Sequence, residues 1–250
     1  KMAEAEAADG PKPSLTAATR KVAAGVKLQN AMAGPGQAKG DPNNIKVGLR
    51  CRPLSKTELG MGEESIVEFS PPQLCMTNPN PEKSDKPENF PFAFDFVYDC
   101  TVTTETVYQD MGRPLVEKLF DGFNGTLFAY GQTGCGKTYS MMGSAAEPGV
   151  IPKVVSAIFK RCGTLPEGVA VTVRASYLQI YREVLQDLSS PKSDDLKIRR
   201  DPKLGTYVQG LTETELTTPE GLTALIDAGN TRRATATTLM SAESSRSHAL

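Results

Sequence analysis

Apolar and polar positions change period along the chain, and each change marks an element. Ile45, Val47 and Leu49 alternate with Lys46, Gly48 and Arg50, which predicts a strand over 45–49 running on to Pro53, where proline ends it. Residues 65–69 and 73–77 read as short strands, followed by a polar loop over 78–89. Phe90, Phe92, Phe94, Phe96 and Tyr98 then recur with period two, predicting one half-buried strand with its aromatics on the core face. Over 104–123, Val107, Met111, Leu115 and Leu119 form the stripe of an amphipathic helix bent near Pro114. Residues 125–130 are mostly apolar, as expected of a central parallel strand. A helix is predicted over 151–161, a long strand over 169–181, a second strand over 183–188, and a helix over 219–233 capped by Thr217 or Thr218. Strands and helices alternating around one apolar strand predict an α/β fold.

Residues 1–43 break this pattern. They are rich in Ala, Gly, Pro and Lys and hold no aromatic residue, so a solvated, disordered tail is expected there and a domain over 44–250. Charge adds an exclusion. With 28 basic and 29 acidic residues, the net charge of −1 rules out a global basic field for nucleic acid or anionic membrane. No apolar run is long enough to span a membrane, and no signal-peptide stretch opens the sequence. Five cysteines, widely spaced and without a C-x-x-C pair, read as reduced thiols of a cytosolic protein. Lys1 in place of Met, and a promising motif directly before Leu250, lead us to expect a piece of a longer chain.

The chemistry concentrates in Gly131-Gln132-Thr133-Gly134-Cys135-Gly136-Lys137-Thr138, which fits G-x-x-x-x-G-K-[ST] at every fixed position. Glycines admit positive φ, so successive backbone N–H groups can converge on phosphate oxygens. Lys137 would add a point charge at the β- and γ-phosphates, and the Thr138 hydroxyl a ligand for Mg²⁺. The loop reads phosphates and not the base. No N-K-x-D element for guanine occurs, and no acceptor pocket of a small-molecule kinase can be recognised.

The surrounding motifs resemble the kinesin motor domain. Residues 107–143, VYQDMGRPLVEKLFDGFNGTLFAYGQTGCGKTYSMMG, carry most of the likeness. Arg50-Cys51-Arg52-Pro53 matches R-x-R-P, and residues 92–98 match F-x-F-D-x-V-[FY]. Residues 176–183 look like S-x-x-E-I-Y-x-E with Gln179 in place of the acid, and Ser244-Ser245-Arg246-Ser247-His248 is identical to the S-S-R-S-H of switch I. The resemblance implies a P-loop NTPase fold, with a mainly parallel central sheet flanked by helices. It also implies ATP and Mg²⁺ as cofactors, microtubules as partner, and a cytoplasmic, cytoskeletal location.

Residue by residue, it places Arg50, Arg52, Pro53 and Tyr139 against adenine; Tyr139 as plain core at the first helical turn is the alternative. It places Ser244 and Ser245 near Mg²⁺ and the attacking water, with Ser245 and Thr138 as metal ligands. Arg246 would pair with an acid of switch II. Ser241 stands where the family usually has Asn, which bears on turnover rather than binding. His248, the only histidine, reads as structural, and Cys135 as a tolerated small residue. The family's D-L-A-G-S-E segment is expected after the strand that begins near Ser247. The 250 residues alone are therefore expected to be inactive, with Leu127, Phe128 and Ile180 on an uncovered face. Homodimerisation through regions outside this sequence is left open. A non-catalytic, kinesin-like nucleotide- and microtubule-binding protein is the alternative function.

Overall fold

A computed structural model describes residues 45–83, 87–191, 196–202, 205–239 and 247–250, with side chains at 234–239 excepted. The expected tail over 1–43, Ser241, and Ser244, Ser245 and Arg246, expected in switch I, lie outside the described residues.

The first strand, β1, spans Gly48–Arg50, shorter than its alternation predicts. Helix α1 (Lys56–Gly60) follows, then β2 (Val67–Ser70), β3 (Gln73–Thr77), β4 (Asn89–Ala93) and β5 (Phe96–Tyr98). The aromatic run is therefore two strands and not one. β2, β3 and β4 form an antiparallel meander, whereas β5 pairs in parallel with β1, Arg50 opposite Tyr98. Asp95 makes the break: its carboxylate accepts from the Val47 N–H and the Lys46 amine, each at 2.9 Å, and so ties the turn to β1. Phe94, one residue earlier, still donates to Pro72 on the meander side. Alternation persists across the break because period two is local, while the choice of partner strand is not. Phe92, 43% exposed, is accordingly outside the core that the pattern assigned to it.

The helix predicted over 104–123 is three consecutive segments. α2 (Thr104–Val107) leads into a π-turn at Tyr108–Gly112 and then α3 (Arg113–Phe120). The Arg113 N–H reaches back five residues to the Tyr108 carbonyl, just before Pro114, which has no N–H to give. The wider turn moves the inward face by one residue. Val107, Gly112 and Val116 are buried, while Leu119, placed on the stripe by a uniform period, is 45% exposed.

α4 (Lys137–Met142) and α5 (Val150–Cys162) come next. Residues 125–130 belong to no ladder among the described strands, contrary to the central strand expected there. Leu127 and Ala129 are half-buried while Phe128 and Tyr130 are 77% and 95% exposed, so the segment is covered on one side only. Leu127 packs on the cluster of Tyr98, Val107 and Val150 at the centre of the β1–β5 side, and Ile180 is half-buried; of the three residues expected uncovered, only Phe128 is open.

The strand predicted over 169–181 also divides, into β6 (Val173–Ala175) and β7 (Leu178–Tyr181). Tyr177 between them donates its N–H to the Ser189 hydroxyl and accepts from the Leu188 N–H, taking the chain from one sheet to another. β8 (Val184–Asp187) completes a hairpin with β7. The pattern did not foresee the exposed hairpin of β9 (Lys197–Asp201) and β10 (Gly205–Gln209), nor β11 (Thr214–Leu216), which pairs with β6. Helix α6 (Pro219–Leu239) outruns its predicted end, and β12 (Ser247–Ala249) pairs with β7, His248 opposite Ile180.

Candidate nucleotide-binding site

The phosphate loop joins the 125–130 segment to α4. Gly134 and Gly136 both adopt left-handed φ, +80° and +96°, and Gly136 caps α4 in that conformation. Gly131 has a φ of +153°, a conformation side chains rarely adopt, and a Cβ there would also displace the Cys135 sulfur, 2.5 Å away. The Cys135 N–H closes the turn on the Gln132 carbonyl at 3.3 Å, leaving Gln132, Thr133 and Gly134 at the exposed crest. Lys137 reaches back over the loop, its Nζ 2.7 Å from the Gly131 carbonyl oxygen and 2.8 Å from that of Gln132. Thr138 follows, exposed, on the first turn of α4. This donor set suits a phosphate chain: one amine already coordinated by oxygens, and glycines whose backbone no side chain screens.

A second cluster lies beside the loop. Arg50, at the end of β1, places its guanidinium 5.3 Å from the centre of the Tyr139 ring. It also donates to the Val102 carbonyl at 2.9 Å and the Ser140 hydroxyl at 3.2 Å. Parallel strands commonly carry ligand sites at their C-terminal ends, and Arg50 occupies that end of β1. Arg52 forks onto Glu58, at 2.7 and 2.6 Å, and donates to the Pro53 carbonyl. Its Cβ is the nearest neighbour that a Cβ on Gly136 would meet. Pro53 itself is exposed. Tyr139 is 42% exposed, which overturns its alternative as core, and its hydroxyl donates to Glu147 Oε2 at 2.6 Å. That bond raises the Tyr139 pKa and holds Glu147 below the ordinary carboxylate value.

The fold thus brings Arg50, Tyr139 and the loop together, with Arg52 at the loop's edge. Ser140, Glu58 and Glu147 were not identified from the sequence. Glu58 had a signal: Ser55-x-x-Glu58 is a capping box, and both of its bonds are made. Glu147 had none. Among the described residues no group of acidic, Cys or His side chains is placed to hold a metal, and no helix is long and apolar enough to cross a membrane.

Comparison with known proteins places the chain. The sequence profile of the kinesin motor domain matches residues 50–250. The chain is 37% identical over 215 residues to Kinesin-related protein 3 of Dictyostelium discoideum, covering 83% of this chain and 18% of that protein. It is 36% identical over 212 residues to the Kinesin heavy chain of Neurospora crassa, covering 83% and 22%. It therefore spans less than a quarter of either curated relative's length. A solved structure described as "Structure of a fast kinesin: Implications for ATPase mechanism and interactions with microtubules" matches with a TM-score of 0.75 at 36% identity, covering 83% of this chain and 58% of that one. The fold is the kinesin-type P-loop α/β fold, and the chain belongs to the kinesin motor-domain family.

Proposed function

We propose that the domain over 44–250 binds ATP with Mg²⁺ and serves a protein that hydrolyses ATP to drive movement along microtubules in the cytoskeleton. The observation that carries this reading is the loop itself: Gly134 and Gly136 in left-handed conformation with the Lys137 amine drawn across the Gly131 and Gln132 carbonyls. On this reading Lys137 exchanges carbonyl oxygens for phosphate oxygens, and the loop N–H groups orient the phosphate chain. Bound Mg²⁺ supplies charge neutralisation at the phosphates, with Thr138 and Ser245 as the hydroxyls that would hold it. Ser244 orients the attacking water and Arg246 closes the site against an acidic partner, roles supported by the S-S-R-S-H match. Arg50, Arg52, Pro53 and Tyr139 take the base, supported by the stacked Arg50–Tyr139 pair beside the loop.

The test is a competition titration of ATP against GTP on the full-length protein, paired with microtubule-stimulated phosphate release. We expect preference for ATP, stimulation by microtubules, and a loss of roughly 100-fold in turnover for Lys137→Ala. Equal affinity for the two nucleotides would remove the base assignment, and unaltered turnover in Lys137→Ala would remove the phosphate assignment.

A further inference from the structure

We infer that Glu147 is a positioning residue for the base side of the nucleotide site, holding the Tyr139 ring in place from a rigid turn anchored on α2. The inference deepens the adenine-side reading and rests on it.

The carboxylate is divided between two elements. Oε2 accepts from the Tyr139 hydroxyl at 2.6 Å, on the helix that follows the phosphate loop. Oε1 accepts from the Thr104 backbone N–H at 2.6 Å and the Thr104 hydroxyl at 3.1 Å, at the start of α2. Thr104 is wholly buried, and its single hydroxyl proton is shared between Oε1 and the nearer Pro148 carbonyl at 2.7 Å, so the backbone N–H is the main anchor and it sits on the core rather than on a surface side chain. Glu147 itself is presented by a closed turn. Its N–H donates to the Ser144 hydroxyl, and its carbonyl accepts from the Ser144 N–H at 2.8 Å. Glycines pinch the base of the turn. A Cβ on Gly143 would stand 2.2 Å from both the Glu147 carbonyl oxygen and the Gly149 nitrogen, and one on Gly149 would stand 2.5 Å from the Gly143 nitrogen.

The consequence falls on Tyr139. A tyrosine at the first turn of a short, partly exposed helix has freedom about χ1 and χ2 and loses it on stacking. Here its hydroxyl is already held, and the Arg50 guanidinium lies over its ring. The ring and the cation are therefore ordered before a base arrives.

The experiment compares two ligands that share phosphates and differ in the base: ATP and inorganic tripolyphosphate, each with Mg²⁺, on the full-length protein. Tyr139→Phe keeps the ring and deletes the anchored hydroxyl. Glu147→Gln leaves one oxygen for two sets of donors. We expect each to weaken ATP binding about five-fold, the double variant to be no weaker than either single one, and tripolyphosphate affinity to stay unchanged. A purely structural role would lower both affinities together, and that result overturns the inference. So does unaltered ATP binding in Tyr139→Phe alongside clear weakening in Tyr139→Ala, an outcome that leaves the base reading intact. If Tyr139→Ala also binds ATP normally, the base reading falls and the inference with it.

Discussion

Glu58 shows how much a single side chain near the site is asked to do. It receives the Arg52 fork, closes the capping box on the Ser55 N–H, and has its pKa lowered to about 2 from an ordinary 4.5 by those hydrogen bonds, the Arg52 one first. Because the folded value lies below the ordinary one, the stability this contact contributes is complete above pH 4.5 and lost as pH falls toward 2. A carboxyl titration followed by NMR should place the Glu58 midpoint near 2 and return it toward 4.5 in Arg52→Ala. A midpoint unmoved by that substitution would show that the fork is not the cause. At this scale the sequence is informative wherever chemistry depends on neighbours in the chain. The phosphate loop was read directly, and the Ser55–Glu58 box, though not identified, had a local signal to read, since the bonds of both span a few residues. The Thr104–Glu147 bonds join residues far apart in the chain and leave no spacing to recognise.

At the scale of elements, period identifies the kind of element and misses its interruptions. The stripe over 104–123 was real, but an extra residue in the π-turn shifts the buried position from Leu115 to Val116. The hairpin between β7 and β8 conceals a second case. Its turn residues Arg182 and Glu183 both carry positive φ, +50° and +65°, the geometry of a two-residue type I′ turn without its usual Asn-Gly. Left-handed backbone costs roughly 1–2 kcal/mol for an ordinary residue, so Arg182→Asn with Glu183→Gly should stabilise the protein by about 2 kcal/mol. The gain is offset in part by loss of the Arg182 contact with the Tyr181 ring. Urea denaturation should show a higher midpoint with an unchanged slope. A lower midpoint would mean that the ring contact outweighs the turn. The strands over 90–98 and 169–181 were legible as strands, but their division between sheets was not, because Asp95 holds Val47 and β6 pairs with β11, partners far away in the chain.

At the scale of the molecule, the described strands form several small sheets, of which only β1–β5 is parallel, and the segment entering the phosphate loop is covered on one side. Phe128 and Tyr130 present that open side to solvent. Phe128→Ser and Tyr130→Ser should reduce concentration-dependent light scattering while leaving the thermal midpoint in place. Leu127→Ser, which strips a side chain packed on the central cluster, should lower the midpoint by several degrees. If all three behave alike, the division of this segment into an inner and an outer face is wrong. The fold class was legible because the order of elements survives these local errors; that residues 125–130 join no ladder among the described strands was not, since pairing depends on a neighbour that no local pattern names. The folded-back Lys137 has a further consequence, in time rather than affinity. The amine already rests between two carbonyl oxygens, so on the proposed reading an arriving phosphate would meet a charge in position and a turn already made. Capture would then be an exchange of oxygen partners around a fixed cation, its speed set by encounter and by the local field instead of by a loop that must first fold.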